Sequence, residues 1–456
     1  METQPDLQAP PPGCPAHQGG GQQGGGAVPL YGPEFAAAPE AFYAFLRQYG
    51  AAGPVELAPG VQASLVTRYS AALQVLQNPD LFAKDSRRWR ALNEGRVPED
   101  SPALPMLAYR PNCLFSDGAD HARLRQAVTD SLAKLDPHRL SRHVERVADY
   151  LIGQFSAQGS VDLLNEYAKV LPLLVFNELF GCPSEIGDRL VHGMSGIFDG
   201  VDAERANAEL SQALIELVTY KRAHPAEDVT SWLIEHPVRL NDEEMVHQLV
   251  TLMGAGTEPV QNVIANALRL LLTDEGGSAL GGGLLVEDAI DDVLWNNPPL
   301  ANYAAHYPVT DTELDGVPLR EGDPVLISFA AANTDPSLSD SRQMLSKRAH
   351  LAWGAGPHAC PAKDPARLIC VAAVEKLLNQ LPDIEMSVPV ESLTWRPGPF
   401  HRALNELPAQ FTPVVAEKPK PAPFVQGSVP QPTPPQPTAR GRQGSWWSSF
   451  LSWWKV

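Results

Sequence analysis

The chain has 456 residues, 44% of them apolar, and 35 Lys and Arg against 53 Asp and Glu for a formal charge of −18. That length and apolar content suffice for a large core, while the acidic balance excludes nucleic acid as the main partner of the chain. No run of 18 or more apolar residues is present to cross a membrane as a helix.

In chain order, residues 1–30 are rich in Pro and Gly, have almost nothing apolar to bury and are expected to be disordered. They hold no Lys or Arg, which is the wrong layout for a secretory signal. The cysteines at 14, 113, 182, 360 and 370 are too few and too scattered for a disulfide framework, so a reduced, cytoplasmic protein is expected. From 31 to 415 one continuous globular domain follows. Apolar positions three and four apart predict helices over 39–49, 69–77, 121–134, 139–157, 204–222, 241–273 and 364–380. Short strands are expected at Ala63–Thr67, Val317–Leu319, Pro324–Ser328 and Ala409–Thr412. The fold class is therefore mainly α with a small β region. Residues 82–108 and 160–205 read as irregular segments that line or cover a pocket. A Pro-rich linker spans 416–444 and a Trp-rich tail 445–456.

Four segments inside the domain offer chemistry. His121-Ala-Arg-Leu-Arg125 places His121 and Arg125 on one helix face, where both reach one anionic group or form an ordinary basic face. Met253-Gly-Ala-Gly-Thr-Glu-Pro259 lies inside the longest helix. Small residues such as Gly256 allow a flat cofactor to pack there, and Pro259 predicts a kink beside Glu258, an acid able to relay protons. Glu258 and Thr257 are the catalytic candidates of this stretch. Glu287-Asp-Ala-Ile-Asp-Asp-Val-Leu-Trp295 carries an acidic cluster with no paired metal-ligand motif, which a solvated helix face would explain. The last segment is Leu351-Ala-Trp-Gly-Ala-Gly-Pro-His-Ala-Cys-Pro-Ala362. Its glycines permit a sharp turn, and Cys360 stands just before a helix, where backbone N–H groups and the helix N-terminus lower a thiol pKa. Such a cysteine is either an iron-ligating thiolate or a buried structural residue.

The last segment resembles the cysteine-ligand loop of the cytochrome P-450 (haem-thiolate) family, Phe-Gly-x-Gly-x-His-x-Cys-x-Gly. Trp353 stands at the Phe, Gly354 and Gly356 at the glycines, His358 at the propionate-side His, Cys360 at the iron ligand and Ala362 at the last Gly. The pair His121 and Arg125 is similar to the family's propionate-holding His-x-x-x-Arg, and Ala255-Gly-Thr-Glu258 to its Ala-Gly-x-acid, with Pro259 replacing the usual Thr. Thr257 lies two residues earlier and about 200° around the helix. Asp292 and Trp295 fall where the family has its Glu-x-x-Arg pair, and His306 where many members have a propionate-binding Arg. The departure at Trp295 resembles an actinobacterial subgroup that lacks this pair and is found beside small GTPase-like signalling genes.

The resemblance covers 31–415 and implies a single-domain P-450 fold with haem b as cofactor, Cys360 as metal ligand, and His121, Arg125, Gly256, His306, Trp353, Gly354, Gly356, His358 and Ala362 about the haem. It implies a monooxygenase inserting one oxygen atom into a small apolar substrate, with a ferredoxin-type electron donor meeting a basic patch at Arg123, Lys363 and Arg367. The alternative is a haem-binding structural or sensory component of a GTPase-containing complex. In the tail, a helix would gather Ser445, Ser448, Ser449 and Ser452 on one face and aromatics on the other. Docking of Trp446–Val456 to a membrane surface or a membrane-bound signalling protein is expected, hence a peripheral location; a partner groove or the domain's own surface are the alternatives.

Overall fold

The computed structural model describes residues 26–199, 203–273, 284–338 and 346–414. The expected disordered N-terminus, apart from its last five residues, and the linker and Trp-rich tail fall outside them. Helices dominate. Pro39–Leu46, Tyr69–Leu76, Gly118–Leu132, Pro137–Phe155, Ala203–Ala223, Asp242–Leu271 and Lys363–Gln380 lie where the periodicity predicts, within a few residues at each end. Asp242–Leu271 is the central helix. Asn241 caps it with a reciprocal capping box to Glu244, and it continues through Pro259.

The segment 160–205 departs from expectation. Instead of an irregular cover it forms a strand, Ser160–Asp162, a wide helical turn at Leu163–Ala168, and helices Val170–Leu179 and Ser184–Asp199. Val170–Leu179 reads VLPLLVFNEL and buries several faces at once, so it carries no amphipathic stripe for periodicity to detect. Residues 82–108 do remain mostly irregular, with only a two-residue strand and single helical turns.

The main sheet has six strands in the order Val28–Pro29, Ala52–Ala58, Val61–Val66, Val325–Ser328, Asn302–Pro308 and Phe82–Ala83. Two of its longest strands, Ala52–Ala58 and Asn302–Pro308, were not expected. Both contain Pro and several Ala, which favour strands weakly, and both are covered on two faces, so neither alternates apolar with polar. Asn302–Pro308 loses register between Tyr303 and His306, and Ala304 there has a φ of 52°. This bulge re-aims the strand toward Phe82–Ala83.

The largest apolar cluster joins the central helix to Pro137–Phe155 and Lys363–Gln380 through Val260, Val263, Ile264, Leu151, Cys370 and Val374. Cys370 Sγ lies 4.0 Å from the Val260 carbonyl. The stretch 255–259 therefore lies on a helix in direct contact with the one that follows the Cys360 loop. No helix among the described residues is long and apolar enough to cross a membrane.

Candidate functional site

The cysteine loop is built by its backbone. Gly354 and Gly356 both have φ of 68°, a region L side chains rarely enter. A Cβ on Gly356 would also stand 2.2 Å from the Leu76 carbonyl oxygen, so the loop can lie on the end of helix Tyr69–Leu76 only with glycine. The Cys360 N–H donates to the Trp353 carbonyl at 2.7 Å, which closes the loop and fixes Trp353 against the core. Cys360 itself is half-buried. Burial pushes its thiol up and outweighs the Ala362 N–H, Arg125 and Lys363, which pull it down. The lowered thiol pKa expected before the helix is thus not met by the protein groups alone, and a facing cation is needed to hold the thiolate.

Beside the loop, basic groups converge from four parts of the chain. The His121 and His358 rings are 3.9 Å apart centre to centre, and His121 Nε2 is buried with no hydrogen-bond partner among the described residues. Arg125 donates to the Ala359 carbonyl and to Thr129. His306, buried, places Nδ1 2.5 Å from the Ala304 carbonyl. Burial pushes all three imidazoles down, His358 as far as about 2, with Lys84, His121, His306 and Arg125 adding to that fall. Against these bases stands Asp117, whose Oδ1 lies 3.9 Å from His358 Nε2. A buried, unpaired imidazole nitrogen among so many bases fits an incoming carboxylate.

The central helix presents a partly exposed stripe at Leu252, Ala255 and Pro259, with Ala255 exposed between buried Met253 and Thr257. Gly256 is placed differently from expectation. A Cβ there would meet the Phe176 ring at 2.6 Å, so its missing side chain makes room for helix Val170–Leu179, and Ala255 is the small residue on the open face. Thr257 is buried and spends its hydroxyl on the Met253 carbonyl at 2.7 Å, so it offers no free donor. Glu258 is buried too. It pairs with Arg396 and accepts from Gln261 at 3.0 Å and Asn262 at 3.2 Å. His401 is close enough for Glu258 to raise its pKa against a burial that holds it near 4.

Two further expectations change. The acidic cluster is a solvated face only in part, Glu287 being exposed and Asp288 and Asp292 half-buried, and its carboxylates are paired. Asp291, buried, meets Arg367 at 2.5 Å, Glu287 meets Arg367 at 3.1 Å, and Asp288 meets Lys347 at 2.6 Å. Arg367 is therefore consumed inside the fold, and Arg123 is paired with Glu244; of the expected basic patch, only Lys363 is exposed without an ion pair among the described residues. Trp295 fills the missing Arg position with more than volume, since its Nε1–H donates to the Lys347 carbonyl at 2.6 Å and its ring meets His350 edge-on.

Lys84, Asp117, Arg396 and His401 escaped the sequence reading. Each stands alone in a segment without a motif, and only the strand and loop packing brings it to the site.

No family model matches the chain. It is 32% identical over 397 residues to the cytochrome P450 monooxygenase PikC of Streptomyces venezuelae, covering 83% of this chain and 92% of that one. It is 31% identical over 361 residues to the 2-hydroxy-5-methyl-1-naphthoate 7-hydroxylase of Streptomyces carzinostaticus, covering 75% and 88%. Among solved structures, CYP154C4 from Streptomyces sp. W2061 matches with a TM-score of 0.76 at 28% identity, over 84% of this chain and 97% of that one.

Proposed function

The chain belongs to the cytochrome P450 superfamily of haem-thiolate monooxygenases, with haem b as cofactor, and on that premise we propose that Cys360 is its iron ligand and that its substrate is small and apolar. The observation that carries the assignment is the Cys360 loop, glycine-turned, backbone-closed and faced by Arg125 and Lys363. Bound there, haem supplies dioxygen activation at a thiolate-ligated iron and the insertion of one oxygen atom.

This chain's residues do the rest. His121, Arg125 and His358 receive the carboxylates of the cofactor, His121 through its unpartnered Nε2. Leu252, Ala255 and Pro259 supply an apolar wall on which an apolar substrate displaces water. Glu258 moves protons toward that wall from the side of Arg396 and His401. Its carboxylate is held by three donors, so it turns only when the Arg396 pair opens.

Bacterial enzymes of this superfamily generally take electrons from ferredoxin-type donors. Lys363, exposed at the start of the helix after Cys360, is the basic residue such an acidic donor would meet. The relatives give no support to a sensory or structural role in a GTPase-containing complex. For Trp446–Val456, outside the described residues, docking to a membrane surface or membrane-bound partner remains the proposal; unchanged membrane association after deletion of 440–456 would sink it.

The central experiment is the visible spectrum of the dithionite-reduced full chain under carbon monoxide, beside Cys360→Ala. The red-shifted thiolate band in the parent and its loss in the variant are expected. A band at the position of His-ligated haem in the parent overturns the assignment of Cys360.

A further inference from the structure

We infer that Lys84 is the charged anchor for one carboxylate of the cofactor, taking from across the strand pair the charge that His306 does not supply; this rests on the haem assignment above. Strand Phe82–Ala83 pairs antiparallel with Asn302–Pro308, Phe82 opposite Pro308 and Ala83 opposite Tyr307. One further step of that register sets Lys84 opposite His306, and directly opposed residues of an antiparallel pair share a face. The bulge at Ala304 completes the arrangement by turning the Ala305 carbonyl to Lys84 Nζ at 2.6 Å.

Lys84 is an unusual lysine. It is 5% exposed, and a buried ammonium is costly unless it is paired and hydrogen-bonded. Its Nζ has three hydrogens, and the Ala305 carbonyl is the one acceptor it has among the described residues. The nearby carboxylate, Asp117, already accepts from the backbone N–H of Lys84 at 2.9 Å and of Asp85 at 2.9 Å. The remaining neighbours are basic, since Lys84 pushes the pKa values of both His306 and His358 down. Burial draws Lys84 itself down to about 7 against the pull of Asp117. A second carboxylate would meet the two unused hydrogens and restore the charge. His306, which is pushed well below the usual imidazole range with its Nδ1 on a carbonyl, cannot offer that charge.

The test follows the rate at which the holoprotein loses haem to excess apomyoglobin, for the parent, Lys84→Met, Lys84→Arg and Lys84→Met/His306→Arg. Each is also reconstituted with haem dimethyl ester, which lacks the carboxylates. Lys84→Met should lose haem about tenfold faster, as expected for one charge-assisted hydrogen bond. Lys84→Arg should stay within about twofold of the parent, and the double variant should recover most of the difference. With the dimethyl ester, parent and Lys84→Met should be equally fast. Unchanged haem loss in Lys84→Met, or equal acceleration for haem and its ester, overturns the inference, the second outcome showing a structural role only. The parent's carbon monoxide spectrum separates the two readings. A normal thiolate band with unchanged Lys84→Met kinetics overturns the anchor alone, and a parent that retains no haem overturns both.

Discussion

At the scale of the residue, neither Pro259 nor Thr257 offers the free hydroxyl that the usual Thr would supply. Proline has no N–H, so the Ala255 carbonyl loses its helical donor on the exposed face. Thr257 keeps its hydroxyl on Met253. Pro259→Thr should therefore raise the ratio of product formed to reductant consumed, whereas Pro259→Ala, which restores only the N–H, and Thr257→Val should leave it unchanged. A rise in Pro259→Ala equal to that in Pro259→Thr would assign the defect to the backbone instead of the hydroxyl. Glu258 and Arg396 are tied more tightly. Arg396→Met leaves a carboxylate that is 1% exposed without its cation, and stability should fall by about 3 kcal/mol. Glu258→Gln, which keeps the volume, should lose less. Denaturant midpoints at constant slope measure both.

At the scale of the element, the helix Val286–Asn296 shows how the fold tolerates losing an internal ion pair. Its acids turn outward from the missing pair to Arg367, Lys347 and Arg348, so the helix is still clamped to the one that follows Cys360. Trp295 holds the next segment through the Lys347 carbonyl. Asp292, at the position of the usual Glu, accepts instead from Asn296 at 2.8 Å. Restoring the lost pair by Trp295→Arg should thus destabilise, by about 2 kcal/mol, because the guanidinium would enter beside His350 with Asp292 already engaged. Trp295→Phe keeps the ring contact and should cost about 1 kcal/mol, the worth of one hydrogen bond. A Trp295→Arg variant as stable as the parent would show that Asp292 rotates freely to meet it.

At the scale of the whole molecule, the site is assembled from segments as far apart as Lys84, His121, Ala255, His306, Cys360 and Arg396. A ligand that ties them binds only the folded chain, so its free energy adds to stability by mass action, about 2.7 kcal/mol at a hundred times its dissociation constant. Protein produced under haem limitation should therefore unfold at a lower Tm than haem-replete protein. That gap should narrow in Cys360→Ala, and calorimetry of the four samples checks it. An equal gap in parent and variant would mean that the cysteine contributes nothing to holding the cofactor.

The chain's own pattern determined the long helices, because three- and four-residue apolar spacing survives any context, as Pro137–Phe155 and Asp242–Leu271 show. It also determined the cysteine loop, since Gly354, Gly356, His358 and Cys360 act through local backbone geometry that seven consecutive residues contain. What lacks a local signature was decided only in three dimensions. Helix Val170–Leu179 is buried on more than one face, and strands Ala52–Ala58 and Asn302–Pro308 are stabilised by neighbours instead of by propensity. Gly256 faces Phe176 because of a helix the periodicity does not reveal. Lys84 gains its meaning from a strand register linking it to a residue 222 positions away (306 − 84), and Glu258 from a loop residue, Arg396. Charges act through space, and a single lysine or arginine in sequence carries no record of the partner that packing will set opposite it.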